Sequence, residues 1–227
     1  MKLYIGNRNY SSWSMRAGVL LAQAGIAHEV ALIRFDALTG DSRFRREVAA
    51  LSPAGRVPIL VDGELAVWDT LAIAEYVAEA FPEKHLWPRD RAARARARSL
   101  CAEMHAGFIS LRNAGPMNIE ASLPEAGALI WRDNAGVRAD VGRIADMWQA
   151  QLEASGGLML FGDFSIADAY FAPVCTRLFT YALPVPPQVR AYMERVRALP
   201  GAAAWIEAAL AEHDFVAVDE PYRLGRT

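Results

Sequence analysis

Residues 57–81 read VPILVDGELAVWDTLAIAEYVAEAF, and this stretch decides what the first part of the chain can be. Two apolar runs flank Asp62-Gly63, a dipeptide suited to a tight two-residue turn with positive φ angles, so residues 57–68 predict a β-hairpin. Beyond it Thr70, Ile73, Ala74, Val77, Ala78 and Phe81 recur at helical spacing on one face, which predicts a helix packed on that hairpin. Pro58 opens the first apolar run. A proline cannot donate to a sheet ladder, so it must stand at the start or edge of its strand. Whether the Val57-Pro58 bond is cis is not legible here, since X-Pro bonds are cis in only ~5% of folded cases.

Toward the N-terminus, His28–Arg34 predicts a strand, and residues 35–54 predict a polar loop with a weak helix over Arg43–Ala50. The run MRAGVLLAQAG at 15–25 is apolar nearly all round apart from Arg16 and Gln23, as a buried helix stopped by Gly25 would be. Before it comes the turn-rich NYSSWS at 9–14. Lys2–Asn7 reads as a short strand without clean alternation, expected to be buried on both faces. Strand, helix, strand makes a parallel βαβ unit with a right-handed crossover. With the hairpin and its helix the order becomes βαβαββα, a thioredoxin-like α/β domain over residues 1–81.

Toward the C-terminus, Pro82 and Pro88 mark a linker over 82–88, and residues 89–227 predict an all-α domain. Val137, Val141, Ile144, Trp148 and Leu152 form one helical stripe; Ala167, Tyr170, Phe171, Val174, Leu178 and Tyr181 form another. Both read as core. Ser165-Ile166-Ala167-Asp168 fits a capping box. Arg91, Arg94 and Arg98 share one helical face, as a solvated face or a subunit contact would.

Composition narrows the function classes. An apolar fraction of 53% with 22% charged residues describes a well-folded protein, and 227 residues suffice for two domains. A net charge of -2, with no aromatic residues interleaved in the arginine run, predicts no nucleic-acid partner. No stretch has the apolar length of a membrane span, and MKLYIG does not read as a secretion signal, so a cytoplasmic location is expected. Cys101 and Cys175 stand far apart in apolar stretches and read as buried free thiols. Cys101 and His105 are four apart but lack a third ligand, so no metal is expected and His105 is given no catalytic role.

Three local features carry chemistry when taken together. Ser11-Ser12 precede the buried helix, beside backbone amides and the positive dipole end that favour an anion; plain N-capping is the alternative. In SPAGRVPIL, at 52–60, a cis Pro58 would turn the Val57 backbone toward an extended peptide. Asp69-Thr70 open the helix after the hairpin, where they can cap it or hold the charged end of a small peptide.

In that order SSWSMR (11–16), SPAGRVPIL, WDTLAIAEY (68–76) and FSIADAYFAP (164–173) resemble the cytosolic glutathione transferases. The first pattern is closest to the zeta class, whose members carry a double serine followed by cysteine, serine, tryptophan and arginine. Here Trp13 replaces that cysteine and Met15 that tryptophan, which weakens the link to the zeta reaction, the isomerisation of maleylacetoacetate. The resemblance implies glutathione as co-substrate, with Ser11 or Ser12 donating a hydrogen bond to its sulfur. It further implies Val57, before Pro58, pairing with the cysteinyl backbone, Asp69 and Thr70 at the γ-glutamyl end, and Arg56 toward the glycine carboxylate. The expected reaction is conjugation to a small electrophile, as in detoxification. A glutathione-dependent isomerase or a non-catalytic binding protein of the same fold are the alternatives. An electrophile pocket is expected from Arg8, Tyr10 and Trp13, together with Met104, Phe108, Arg112 and Met117 from the first helix after the linker. Phe108 and the methionines suggest an apolar acceptor, and Arg112 could orient a carboxylate. A homodimer is implied as well.

Overall fold

In the computed structural model, which describes residues 1–36 and 42–225, the first part of the chain runs in the expected βαβαββα order. It comprises β1 (Lys2–Ile5), α1 (Ser12–Gln23), β2 (Glu29–Leu32), α2 (Arg43–Leu51), β3 (Ile59–Asp62), β4 (Leu65–Trp68) and α3 (Thr70–Ala80). The sheet order is β2-β1-β3-β4, with β1 and β2 parallel and the two later pairings antiparallel. Part of the polar loop predicted over 35–54 falls on 37–41, outside the described residues.

Two local expectations are corrected. β1 is not buried on both faces: Leu3 and Ile5 are fully buried while Lys2 and Tyr4 are half-exposed. The helices α1 and α3 cover one face of the sheet; the short α2 covers the other only in part, through a small cluster of Ile33, Phe44, Val48 and Ile59. The hairpin loop is Gly63-Glu64 instead of Asp62-Gly63, because Asp62 still pairs with Leu65. Gly63, at φ 58°, takes the first loop position, where a hairpin turn opening on glycine needs positive φ.

The helix α1 ends as its sequence predicts. Gly25 adopts φ 64°, its N–H bonds the Ala22 carbonyl at 3.1 Å, and Ile26 N–H bonds the Leu21 carbonyl at 3.0 Å. These are the paired bonds of a Schellman motif. Gly18 faces the Trp205 ring so closely that a Cβ would lie 2.2 Å from it, which lets α1 meet the last helix of the chain.

The remaining helices are α4 (Arg91–Ala106), α5 (Ile109–Ala114), α6 (Pro124–Asp133), α7 (Ala135–Ser155), α8 (Ile166–Thr180), α9 (Pro187–Ala198) and α10 (Pro200–Glu212). The predicted stripe of α7 is buried. For α8 a stripe understates the case: every residue except Phe179 is buried, because α1, α4 and α9 enclose it. Its capping box forms. The Asp168 carboxylate there accepts from Ser165 N and Oγ, Leu160 N and Tyr192 Oη at 2.8–3.1 Å. Burial pushes this carboxyl up, and the four donors pull it back.

The arginine face of α4 is solvated at Arg91 and Arg98, and it also bonds within the chain. Arg98 makes a bidentate pair with Glu75 of α3 at 2.7 and 2.8 Å and lies over Trp87. Arg94 donates to the carbonyls of Pro88 and Arg89. These side chains tie α4 to the preceding linker and to α3 within one chain. Among the described residues no helix is long and apolar enough to cross a membrane, and no group of three or more ligands could hold a metal ion. Cys101 and Cys175 are free and buried, and burial pushes both thiols up.

Candidate active site

The site lies where the N-terminus of α1, the start of β3 and the N-terminus of α3 meet α4, α5 and α8. Ser11 is the N-cap of α1: its Oγ accepts from Ser14 N at 3.3 Å and donates to Ser14 Oγ at 2.8 Å. Ser14 Oγ in turn accepts from Gly6 N at 3.1 Å. The Ser11 proton is thus committed to the protein. Ser12, the first residue of α1, differs: its Oγ accepts from Arg177 Nη2 at 3.4 Å, so its own proton remains to be donated. Sequence left the two serines equivalent, and their hydrogen bonds separate them.

Two adjoining hollows share Trp13, Arg56, Val57 and Arg112 in their walls. The first, of about 490 Å³, adds Pro58, Trp68, Asp69, Thr70 and His105. The second, of about 310 Å³, adds Ser11, Ser12, Tyr10, Met117, Arg177 and Asp219 among others. The Val57-Pro58 peptide is cis. Asp69 caps α3 by accepting from Leu71 N at 2.8 Å, and it sits at φ 72°, an uncommon conformation for a non-glycine residue that costs about 1–3 kcal/mol. Such strain persists where the surroundings hold it in place.

The cleft is cationic. Arg177 is buried, donates to the Gly115 carbonyl at 3.1 Å, and has its pKa lowered to about 9, first by desolvation and then by Arg16 and Arg112. Arg16 is lowered to about 10 for the same leading reason; it lies between the rings of Trp13 and Tyr170, at 4.2 and 4.7 Å. Both stay charged at neutral pH. Arg112 covers the Trp13 ring at 5.0 Å. Asp219, from the C-terminal segment, faces Arg177, and burial pushes its carboxyl up.

The sequence-predicted residues divide accordingly. Ser11, Ser12, Arg56, Val57, Pro58, Asp69, Thr70, Tyr10, Trp13, Arg112 and Met117 all line the two hollows. Arg8 is placed elsewhere, held by Glu212 at 2.8 Å and packed over Trp205, so it anchors the end of α10. Met104 and Phe108 are core residues. The single helix expected to carry them breaks at Gly107, and Phe108 takes φ 56°, which turns its ring inward and starts α5 with Arg112 toward the cleft. Tyr10 lines the wall while its hydroxyl is bonded to Glu220 at 2.7 Å. Sequence reasoning missed His105, Tyr170, Arg16, Arg177 and Asp219. The readable signal was a charge, Arg177, within the apolar run of α8.

Comparison with known proteins identifies the family. The family profile described as "Glutathione S-transferase, N-terminal domain" matches residues 10–80, and its C-terminal counterpart matches 91–208. A Pseudomonas aeruginosa maleylacetoacetate isomerase is 32% identical over 210 residues, covering 88% of this chain and 92% of that protein. A stringent starvation protein A homolog from Histophilus somni is 23% identical, covering 78% of this chain and 77% of its own. Among solved structures, a Burkholderia glutathione transferase homolog with bound glutathione superposes with a TM-score of 0.69 at 26% identity. It covers 93% of this chain and 98% of its own. A thioredoxin-like sheet domain joined to a helical one, with an anion-favouring helix start in the cleft between them, defines the transferase fold. The chain belongs to the glutathione S-transferase family, near its zeta class.

Proposed function

We propose that the chain conjugates glutathione to a small electrophile, with Ser12 as the hydroxyl that stabilises the thiolate. The observation that carries this is the polarity of Ser12: its oxygen accepts from a buried guanidinium at the start of α1, which leaves its proton available to another acceptor. A free thiol has a pKa of ~8.5, and lowering it by two units takes ~2.7 kcal/mol. A hydrogen bond to a charged acceptor contributes ~1.5–3 kcal/mol and the helix end up to ~1 kcal/mol, so the magnitudes match. Val57 serves the cysteinyl backbone, Asp69 and Thr70 the γ-glutamyl end, and Arg56 the glycine carboxylate.

The electrophile is read as one bearing a carboxylate, because Arg112 and Arg177 line the second hollow beside Phe35, Phe44 and Met117, while Met104 and Phe108, also expected there, are core. A second reading, glutathione-dependent isomerisation of an acidic substrate, is favoured by the similarity to the Pseudomonas isomerase. The two differ in stoichiometry, since conjugation consumes glutathione and isomerisation returns it.

The test is thiolate absorption of bound glutathione across pH, followed by turnover of matched electrophiles with and without a carboxylate. Bound thiolate should appear well below the pH at which free glutathione ionises. Arg112→Ala should raise KM for the carboxylate-bearing electrophile about tenfold, the loss of one charge-assisted hydrogen bond, and leave the neutral one unchanged. Binding without thiolate would make the protein a carrier, and equal effects on both electrophiles would remove the acidic reading.

We read the molecule as a cytoplasmic homodimer. The edge strand β4 supports the second half of this, exposing Leu65 and Trp68 by 50% and 42%. Sedimentation as a monomer at micromolar concentration would exclude it.

A further inference from the structure

We propose that His105 is a positioning residue for the γ-glutamyl end of glutathione: as an imidazolium it orients a hydrogen-bond chain through Tyr170 so that Thr70 donates to the ligand's α-carboxylate, and ligand binding takes up a proton. This rests on the reading above that Asp69 and Thr70 receive that end.

The chain is continuous. His105 Nε2 lies 3.4 Å from Asp69 Oδ2, His105 Nδ1 lies 2.8 Å from Tyr170 Oη, and Tyr170 Oη lies 2.9 Å from Thr70 Oγ1. It starts on α4, crosses α8 and returns to the first turn of α3. The edge of Trp13, with ring centroids 5.0 Å apart, fixes the plane of the imidazole. Tyr170 has one proton for two neighbours. Burial raises its pKa to about 12, so it passes direction along the chain and does not ionise.

Two arrangements are available. With Nδ1 bare, Tyr170 donates to His105, Thr70 must donate to Tyr170, and Thr70 offers the cleft a lone pair. With a proton on Nδ1, His105 donates to Tyr170, Tyr170 donates to Thr70, and the Thr70 proton points to the ligand. A helix N-terminus holds carboxylates, so the second arrangement suits this position. A neutral ring protonated only at Nδ1 would aim its bare Nε2 at the Asp69 carboxylate. The imidazolium instead donates at both ends, to Asp69 and to Tyr170.

The groups facing His105 come from four other elements. Asp69, at the start of α3, favours the cation. Arg112 of α5, its Nη1 3.4 Å from the His105 carbonyl oxygen, and Arg16 of α1, stacked on Trp13 and Tyr170, oppose it. From α8 the facing group is Tyr170, which is neutral. The γ-glutamyl end brings an α-ammonium as well as an α-carboxylate; with the carboxylate held at Thr70, it is the carboxylate that offsets the two guanidiniums, and solvent supplies the proton to the ring.

The probe is S-methylglutathione, which keeps the γ-glutamyl end and has no thiol proton to release. Titration calorimetry near neutral pH in two buffers of different ionisation enthalpy should show net proton uptake by the wild type. Its affinity should fall about three- to tenfold between pH 6 and pH 8, the range in which imidazoles titrate. His105→Gln supplies an amide donor toward Tyr170 without a titrating group, so it should bind with no proton uptake and no slope over that range. Tyr170→Phe cuts the chain and should shrink the uptake and weaken binding at the γ-glutamyl end. Wild-type binding without proton exchange, or uptake unchanged in His105→Gln, overturns the proposal while leaving the glutathione site intact. Absence of any binding would overturn both.

Discussion

Replacing Ser12 by alanine is expected to lower kcat/KM by about 10–100-fold and to move the bound thiol's pKa up by about one to two units, the loss of one hydrogen bond to an anion. Ser11→Ala should behave differently. Its oxygen caps α1 and its proton goes to Ser14, so it should lose about 1 kcal/mol of stability and leave the bound thiol nearly where it was. Thiolate absorption of the glutathione complex against pH reads the first effect, and urea midpoints read the second. Should Ser11→Ala raise the thiol pKa while Ser12→Ala leaves it unmoved, the roles are reversed and the Arg177–Ser12 bond is incidental. Arg177→Leu gives an independent arm. Without its guanidinium donor Ser12 keeps a hydroxyl but loses polarisation, so the shift should take the same direction and be smaller.

The contrast between the serines shows how far sequence reaches into this site. Residues at the ends of elements were legible because their local chemistry is strong: Gly25 stopping α1, Asp69 opening α3, the proline before β3, the serine pair before α1. Each is a short-range rule about caps, turns and missing donors. Direction was not legible. Arg8 is adjacent in sequence to the serine loop, yet its carboxylate partner Glu212 lies 204 residues away and draws it off the cleft. Periodicity alone carried the first helix of the second domain straight through Gly107, where the chain breaks and sends Phe108 inward while Arg112 turns to the cleft. Tyr170 and Arg177 were read as core or passed over because α8 is buried on nearly every side, and periodicity cannot say which side of such a helix meets a cleft. A lone arginine in such a helix is itself a signal. Burying a guanidinium costs several kcal/mol, so a sequence that keeps one there has either a partner for it or a use.

Asp168→Ala is expected to be strongly destabilising, at about 3–5 kcal/mol, a large share of the 5–15 kcal/mol typical of a folded domain. The carboxylate is fully buried and accepts from two backbone amides and two hydroxyls. The hydroxyls of Ser165 and Tyr192 are buried but can rotate about their C–O bonds. The amides of Leu160 and Ser165 cannot, and each unsatisfied one costs about 1–3 kcal/mol. Asp168→Asn keeps one acceptor oxygen but points an NH₂ at donors, so it should lose about half as much. Ser165→Ala, which removes only the cap hydroxyl, should lose about 1 kcal/mol. That order, measured by urea denaturation, separates a cap from a buried hub; equal losses for Asp168→Ala and Ser165→Ala would reduce Asp168 to a cap. The hub also matters to the chemistry, because α8 carries Tyr170 and Arg177 to the cleft from the end that Asp168 fixes against Leu160 and α9. A folded Asp168→Asn protein should therefore lose activity on warming earlier than the wild type, at its own lower Tm, while its thiolate titration at low temperature stays unchanged. A shifted titration in the folded variant would mean that Asp168 also sets the position of Arg177 against Ser12.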